Sequence, residues 1–153
     1  MEPYKTLEKL NISYKEVEHK KVMTSKEAEF IKDMIEGIGV KNLFLKSDKG
    51  GYFLVLTPDN KKVDLKVLSK MVNGRLSFAS TEELRNTLKL EQGSVTPLGI
   101  INDLKHEVIV LIDNILINEY VLVHPLVNTK TISLRMKDLI RIIEYLKNEY
   151  LFY

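Results

Sequence analysis

Five residues, Ser47-Asp48-Lys49-Gly50-Gly51, stand between two apolar runs, Asn42–Lys46 and Tyr52–Thr57. Strands joined by so short a link lie antiparallel, because a parallel return needs a crossover of a dozen or more residues. Pro58-Asp59-Asn60 turns the chain again soon afterwards. Further strands are predicted at Ile12–Glu18, Leu76–Ala79, Glu107–Ile112, Tyr120–Val123 and Thr129–Leu134, from apolar runs or alternation. Helical spacing marks residues 3–10 through Leu7 and Leu10. It also marks a segment from Thr24 or Ser25 to about Ile35, with Phe30, Met34 and Ile38 as its buried stripe and Gly37 and Gly39 as its end. Leu65, Leu68 and Val72 share one helical face, and Ser80 with Glu83 forms a capping box for a helix through Leu90. Met136, Leu139, Ile140, Ile143 and Leu146 trace the last helix. The fold class that follows is α+β, with a curved mixed, mostly antiparallel sheet in one domain spanning 1–153.

Composition narrows the function classes. Hydrophobic residues make up 44% and charged residues 29% of the chain, ordinary globular proportions. No apolar run approaches the roughly 18 residues of a membrane span, and the polar N-terminus lacks the apolar core of a signal peptide, so a cytoplasmic protein without a membrane partner is expected. The chain has no cysteine, which removes disulfides, thiolate metal sites and cysteine nucleophiles. Residues 1–75 carry 15 Lys and Arg against 11 Asp and Glu, whereas 76–153 carry 8 against 10. That basic half can meet a few phosphates but not a long nucleic-acid tract, and scattered lysines equally describe a solvated surface.

Three polar insertions in apolar surroundings are the candidates for chemistry. Lys41-Asn42 opens KNLFLK where a helix hands over to a strand; the pair offers a cation and an amide, or simply a surface lysine. Gly93-Ser94-Val95-Thr96-Pro97-Leu98-Gly99 can aim successive backbone N–H groups at one point, as an oxyanion requires, or can be a plain turn. His124-Pro125 ends an apolar strand, where a histidine is either a pocket residue or a hydrogen-bonded structural one. His19 and His106 are too scattered in sequence to form a metal triad with it, and neither GxSxG nor GxGxxG occurs, so no metal or cofactor is expected.

In their order the segments KNLFLK (41–46), GYFLVL (51–56), VDLKVLSK (63–70), RLSFAS (75–80), GSVTPLGIIND (93–103) and HPLVNT (124–129) closely resemble the YbaK-type aminoacyl-tRNA deacylases. Within them the resemblance is to the stand-alone prolyl-tRNA editing proteins related to the insertion domain of bacterial prolyl-tRNA synthetase. It spans the chain from about His19 to the final helix. The resemblance implies a barrel-like sheet with surrounding helices and metal-free, cofactor-free hydrolysis of a mischarged aminoacyl-tRNA, typically alanine on the proline tRNA. It assigns Lys41 to the family's essential lysine, Asn42 to the asparagine beside it, Gly93–Pro97 to the GxxxP loop and His124 to the histidine of the HPL segment. One departure is visible: Lys20-Lys21 follow His19 where the family carries prolines, which bears on the pocket lip and on fine substrate choice.

An aminoacyl ester is already activated, so the implied chemistry is placement of a water and stabilisation of a tetrahedral oxyanion. The N–H groups of Gly93, Ser94, Val95 and Thr96, with Pro97 stiffening the loop, are expected to face the ester carbonyl. A lysine serves as a base only in a dry pocket, so Lys41 is expected to act as a cation on the terminal adenosine phosphate or the carbonyl. In the family the neighbouring ribose hydroxyl helps activate water. His124 would shape the pocket or hold the amine or ribose. Alanine is smaller than proline, so a pocket can exclude the correct product sterically. Met23, Thr24, Phe30 and Ile31 are its expected walls, with Phe44 and Val95 opposite. A noncatalytic RNA-binding module of the same fold and a deacylase for cysteinyl- or seryl-tRNA are the alternatives. Transient contact with a prolyl-tRNA synthetase is a further expected partner, and oligomeric state has no signal in the sequence.

Overall fold

The structure, a computed structural model, describes residues 2–21 and 25–153, with side chains for these except 25–28. The chain runs α1 (Pro3–Lys9), β1 (Lys15–Glu18), α2 (Ser25–Met34), β2 (Ile38–Ser47), β3 (Tyr52–Pro58), α3 (Leu65–Val72), β4 (Leu76–Phe78), α4 (Thr81–Leu88), β5 (Val108–Ile112), β6 (Tyr120–Val123), β7 (Lys130–Arg135), α5 (Met136–Tyr145) and β8 (Tyr150–Phe152). Short 3-10 helices occupy Pro97–Asn102 and Asn114–Leu116.

One sheet has the order β1-β7-β6-β2-β3-β5-β8, with β4 also on β2. The ladders β1–β7, β2–β3, β2–β4 and β6–β7 are antiparallel. The ladders β2–β6, β3–β5 and β5–β8 are parallel and join strands far apart in sequence. The short Ser47–Gly51 link forms the predicted hairpin, with Asn42 opposite Leu56 and Lys46 opposite Tyr52.

Strand alternation divides the apolar residues between two faces. Phe44, Leu54, Leu56, Val110, Val121 and Ile132 point into the larger core, which α5 closes with Leu139, Ile142 and Ile143. Leu45, Phe53, Val55 and Leu111 point the other way, under Leu68 of α3. Full burial of a leucine such as Leu68 is worth about 1.5–3 kcal/mol, which holds this short helix on the sheet.

Three expectations are corrected. The stripe of α2 is not Phe30, Met34 and Ile38: Phe30 is 68% and Met34 54% exposed, while Ile31 and Ile35 are buried against Leu122. Both sets fit helical spacing, and only the sheet's position selects between them. Gly39 does not end that helix but lies inside β2, where a Cβ would come within 2.2 Å of the Asp59 carboxylate and 2.8 Å of Lys32 Cε. Its bareness lets the Lys32–Asp59 pair (2.9 Å) cross the strand. The fourth helix stops at Leu88, capped by Lys89 in the left-handed region, rather than at Leu90. The proposed Thr24 cap lies outside the described residues.

Candidate active site

Strand β2 changes partners along one edge. Ile38 and Gly39 pair with β6, and Leu45 to Ser47 pair with β4. Between these stretches β6 has ended at His124-Pro125, and the Gly93–Pro97 loop fills the gap. The Asn42 side chain fixes it there: Nδ2 donates to the Val95 carbonyl at 3.2 Å. Val40, Asn42, Gly93, Val95, Leu122 and His124 line the resulting pocket of about 260 Å³. A second recess of about 100 Å³ shares Val40, Leu122 and His124 and adds Ile31, Gly39 and Thr131.

Within this pocket Asn42 Oδ1 is buried and has no hydrogen-bond partner. The amide orientation is set by its neighbours, since Nδ2 faces two carbonyls, those of Val40 and Val95. A buried acceptor without a donor is costly, and a ligand that brings an N–H or O–H relieves that cost.

The loop backbone is partly committed already. Ser94 N–H donates to the Glu91 carbonyl at 3.0 Å, and Pro97 has no N–H. Among the described residues, the N–H groups of Gly93, Val95 and Thr96 have no acceptor. Gly93 holds φ +88°, a conformation L side chains rarely adopt, and so permits the reversal that leads into them. Thr96 and Pro97 are buried. The Thr96 hydroxyl donates to the His124 carbonyl at 2.7 Å, and Pro97 opens the 3-10 helix. These two residues anchor the loop.

His124 is oriented by Nδ1, which sits 3.0 Å from the Lys130 carbonyl. A carbonyl only accepts, so Nδ1 carries the proton and neutral His124 keeps Nε2 as an acceptor. His19 stands beside it, with ring centroids 6.1 Å apart, and its Nε2 lies 2.8 Å from the Thr131 hydroxyl. Residues 19, 124 and 131 meet only because β1, β7 and β6 are neighbours, so His19 and Thr131 carry no local signal as site residues. Among the described residues no group of three or more His, Asp or Glu is placed to hold a metal.

Lys41 and Asn42 point to opposite faces of β2. The Lys41 ammonium donates to the Lys61 carbonyl in the turn after β3. That turn is held by Lys61 Nζ on Asp113 Oδ2 at 2.6 Å, with the Thr57 hydroxyl on the same oxygen at 2.9 Å. Burial pushes the Asp113 carboxyl up, but the bonds from Lys61, the Ile115 N–H and Thr57 outweigh it and hold the group below its ordinary value. The structure therefore gathers Asn42, Gly93, Val95 and His124 in one pocket and Ile31 in the adjoining recess. Ser94 lines a neighbouring groove with His124. Phe44 is buried in the large core, stacked on Tyr52 at 5.2 Å, and is not a pocket wall. Phe30 faces away on α2. Met23 and Thr24 lie outside the described residues.

A family model described as the aminoacyl-tRNA editing domain matches residues 19–142. The chain is 41% identical over 143 residues to the prolyl-tRNA editing protein ProX of Acetoanaerobium sticklandii, covering 90% of this chain and 86% of that one. It is 32% identical over 142 residues to the prolyl-tRNA synthetase associated domain-containing protein 1 of Danio rerio, covering 90% and 77%. Among solved structures, a candidate trans-editing enzyme for prolyl-tRNA synthetase superposes with TM-score 0.73 over 96% of this chain and 90% of that one. At 23% identity that likeness speaks for the fold.

Proposed function

The chain belongs to the aminoacyl-tRNA editing domain family, enzymes that hydrolyse aminoacyl-tRNA, and on that premise we propose that it removes a wrongly attached amino acid, alanine foremost, from the proline tRNA in trans. The observation that carries the reading is the buried, unpartnered Asn42 Oδ1 in a pocket walled by a loop with unengaged N–H groups. A substrate ammonium supplies the missing donor. The ester carbonyl then lies toward the N–H groups of Gly93, Val95 and Thr96, which hold the negative charge that develops when water adds to the carbonyl carbon. The tetrahedral adduct collapses by breaking the ester bond. The ribose oxygen leaves and takes up a proton, and free amino acid and tRNA result.

Lys41, on the other face of β2, is suited to the terminal adenosine phosphate rather than to the carbonyl. In this role its ammonium exchanges the Lys61 carbonyl for a phosphate oxygen. His124 Nε2 accepts from a ribose hydroxyl at the pocket mouth. Val40, Leu122 and Ile31 bound the space for the amino-acid side chain, and selection on this reading comes from these walls accepting the alanine methyl and clashing with the larger proline ring. On this reading the protein works in the cytoplasm, with a prolyl-tRNA synthetase as a transient partner.

The test is single-turnover deacylation of alanyl-, cysteinyl-, seryl- and prolyl-tRNA by wild type and Lys41→Ala. The expected result is cleavage of alanyl-tRNA(Pro), little cleavage of prolyl-tRNA, and a loss of at least tenfold on removing Lys41. Equal cleavage of prolyl-tRNA sinks the size argument, and an undiminished Lys41→Ala rate sinks the role of the lysine. Preference for cysteinyl- or seryl-tRNA reassigns the amino acid.

A further inference from the structure

A cavity of about 430 Å³ lies away from this pocket and contains Tyr14, Lys15, Tyr120, Arg135, Asp138 and Arg141. Its cations are fixed rather than loose. Asp138 is 3% exposed, takes Arg135 Nε at 3.0 Å on one oxygen, and takes Arg141 Nη1 at 3.0 Å on the other. Arg141 Nη2 also donates to the Leu10 carbonyl at 2.6 Å. Two guanidinium groups sharing one carboxylate leave a net positive charge, and Arg135 Nη1 remains uncommitted. Lys15 adds a further exposed cation, and Glu36 on the same lining is the opposing charge. Tyr14 and Tyr120 are 39% and 44% exposed, which offers aromatic surface beside the cations. Fixed guanidinium groups with open aromatic rings are the combination that takes a phosphate and stacks a base.

The position of this cleft limits what such a ligand belongs to. Lys15, Ser133 and Leu122 stand in register across β1, β7 and β6, as do Arg135 and Tyr120, so these residues share one face of the sheet. Thr131 continues that face to the His124 recess. Tyr120 and His124 are four residues apart on one strand, about 13 Å at the usual rise. Helix α2 crosses the interval, with Ile31 and Ile35 on Leu122. The cleft and the pocket therefore open along one sheet face, within reach of a single nucleic-acid strand.

The geometry points to a second, RNA-backbone subsite: the Tyr14–Lys15–Tyr120–Arg135–Arg141 cleft binds a phosphodiester of the same tRNA whose aminoacyl end occupies the Asn42–His124 pocket. The inference rests on the deacylase reading, and its test separates the two. Alanyl esters of full-length tRNA(Pro) and of adenosine, which carries no phosphodiester, are hydrolysed by wild type, Lys15→Glu and Tyr120→Ala. Uncharged tRNA binding is titrated across salt concentrations, and inorganic phosphate and AMP are titrated separately. Lys15→Glu is expected to raise KM for the tRNA ester about tenfold at unchanged kcat, with a salt slope lower by about one, and to leave the adenosine ester unaffected. Tyr120→Ala is expected to raise the same KM severalfold. Equal losses on both esters, or no loss on either, overturn the subsite. Saturable phosphate or AMP binding that Lys15→Glu abolishes while tRNA binding is unmoved reassigns the cleft to a free small anion and also overturns it. If wild type cleaves neither ester, the deacylase reading falls, and the uncharged-tRNA titration still decides the cleft.

Discussion

Asn42 links the loop to the sheet with its amide nitrogen and leaves its amide oxygen buried and unpaired. Asn42→Ala removes both. Without the Val95 bond the N–H groups of Gly93, Val95 and Thr96 lose their position, and without Oδ1 the substrate ammonium loses its acceptor. A drop in kcat of about 100-fold or more is expected, the scale of removing an oxyanion-hole contact. Asn42→Asp keeps an acceptor but places a carboxylate near the Val95 carbonyl, so it should restore ammonium binding without restoring the loop. Single-turnover rates at saturating enzyme separate the two contributions. KNLFLK marked this residue in the sequence, but which face it occupies became visible only through the register of β2 with β3.

At the scale of the element, the helix α4 depends on its cap. Ser80 Oγ accepts from the Glu83 N–H at 3.0 Å, and Glu83 Oε1 accepts from the Ser80 N–H at 2.9 Å. Glu83 also takes the Tyr52 hydroxyl at 3.0 Å and Lys46 at 3.2 Å, which ties the helix to the β2–β3 hairpin. The Ser80 backbone bond is the strongest influence on this carboxyl, which stands at about 2 rather than its ordinary 4.5. A depressed carboxyl stabilises the fold above its unfolded value and loses that stabilisation as pH falls through the folded value. Urea midpoints should therefore decline between about pH 4.5 and 2, and Glu83→Gln should flatten that decline while lowering stability at pH 7. Ser80→Ala should cost about 1 kcal/mol at neutral pH. This cap was legible in the sequence because both partners lie within one turn. The buried face of α2 was not, since Phe30-Met34 and Ile31-Ile35 are equally helical in spacing, and burial depends on where Leu122 lies.

For the whole molecule, the C-terminal strand β8 is the element no local pattern announced. It is three residues long and parallel to β5, and Tyr153 N–H donates to the Ile112 carbonyl while Asn114 N–H donates to the Tyr153 carbonyl. Removing residues 150–153 opens the edge of β5 and exposes Leu111 and Ile112, so the unfolding free energy should fall by about 2–4 kcal/mol, read as a lower urea midpoint. Activity per folded molecule should persist, because the pocket lies at the other side of β2. An unchanged midpoint would show that β8 contributes little. By itself the sequence determined the β2–β3 hairpin, the capped helix, the antiparallel bias and, through ordered motifs, the membership in an editing family, because each is carried by residues near one another in the chain. Only the tertiary structure decided what Lys41 and Asn42 meet on the opposite faces that strand alternation gives them, that Phe44 is core, and that His19 and Thr131 stand beside His124. Those facts follow from strand order and register, which bring together residues more than a hundred positions apart and leave no trace in local spacing.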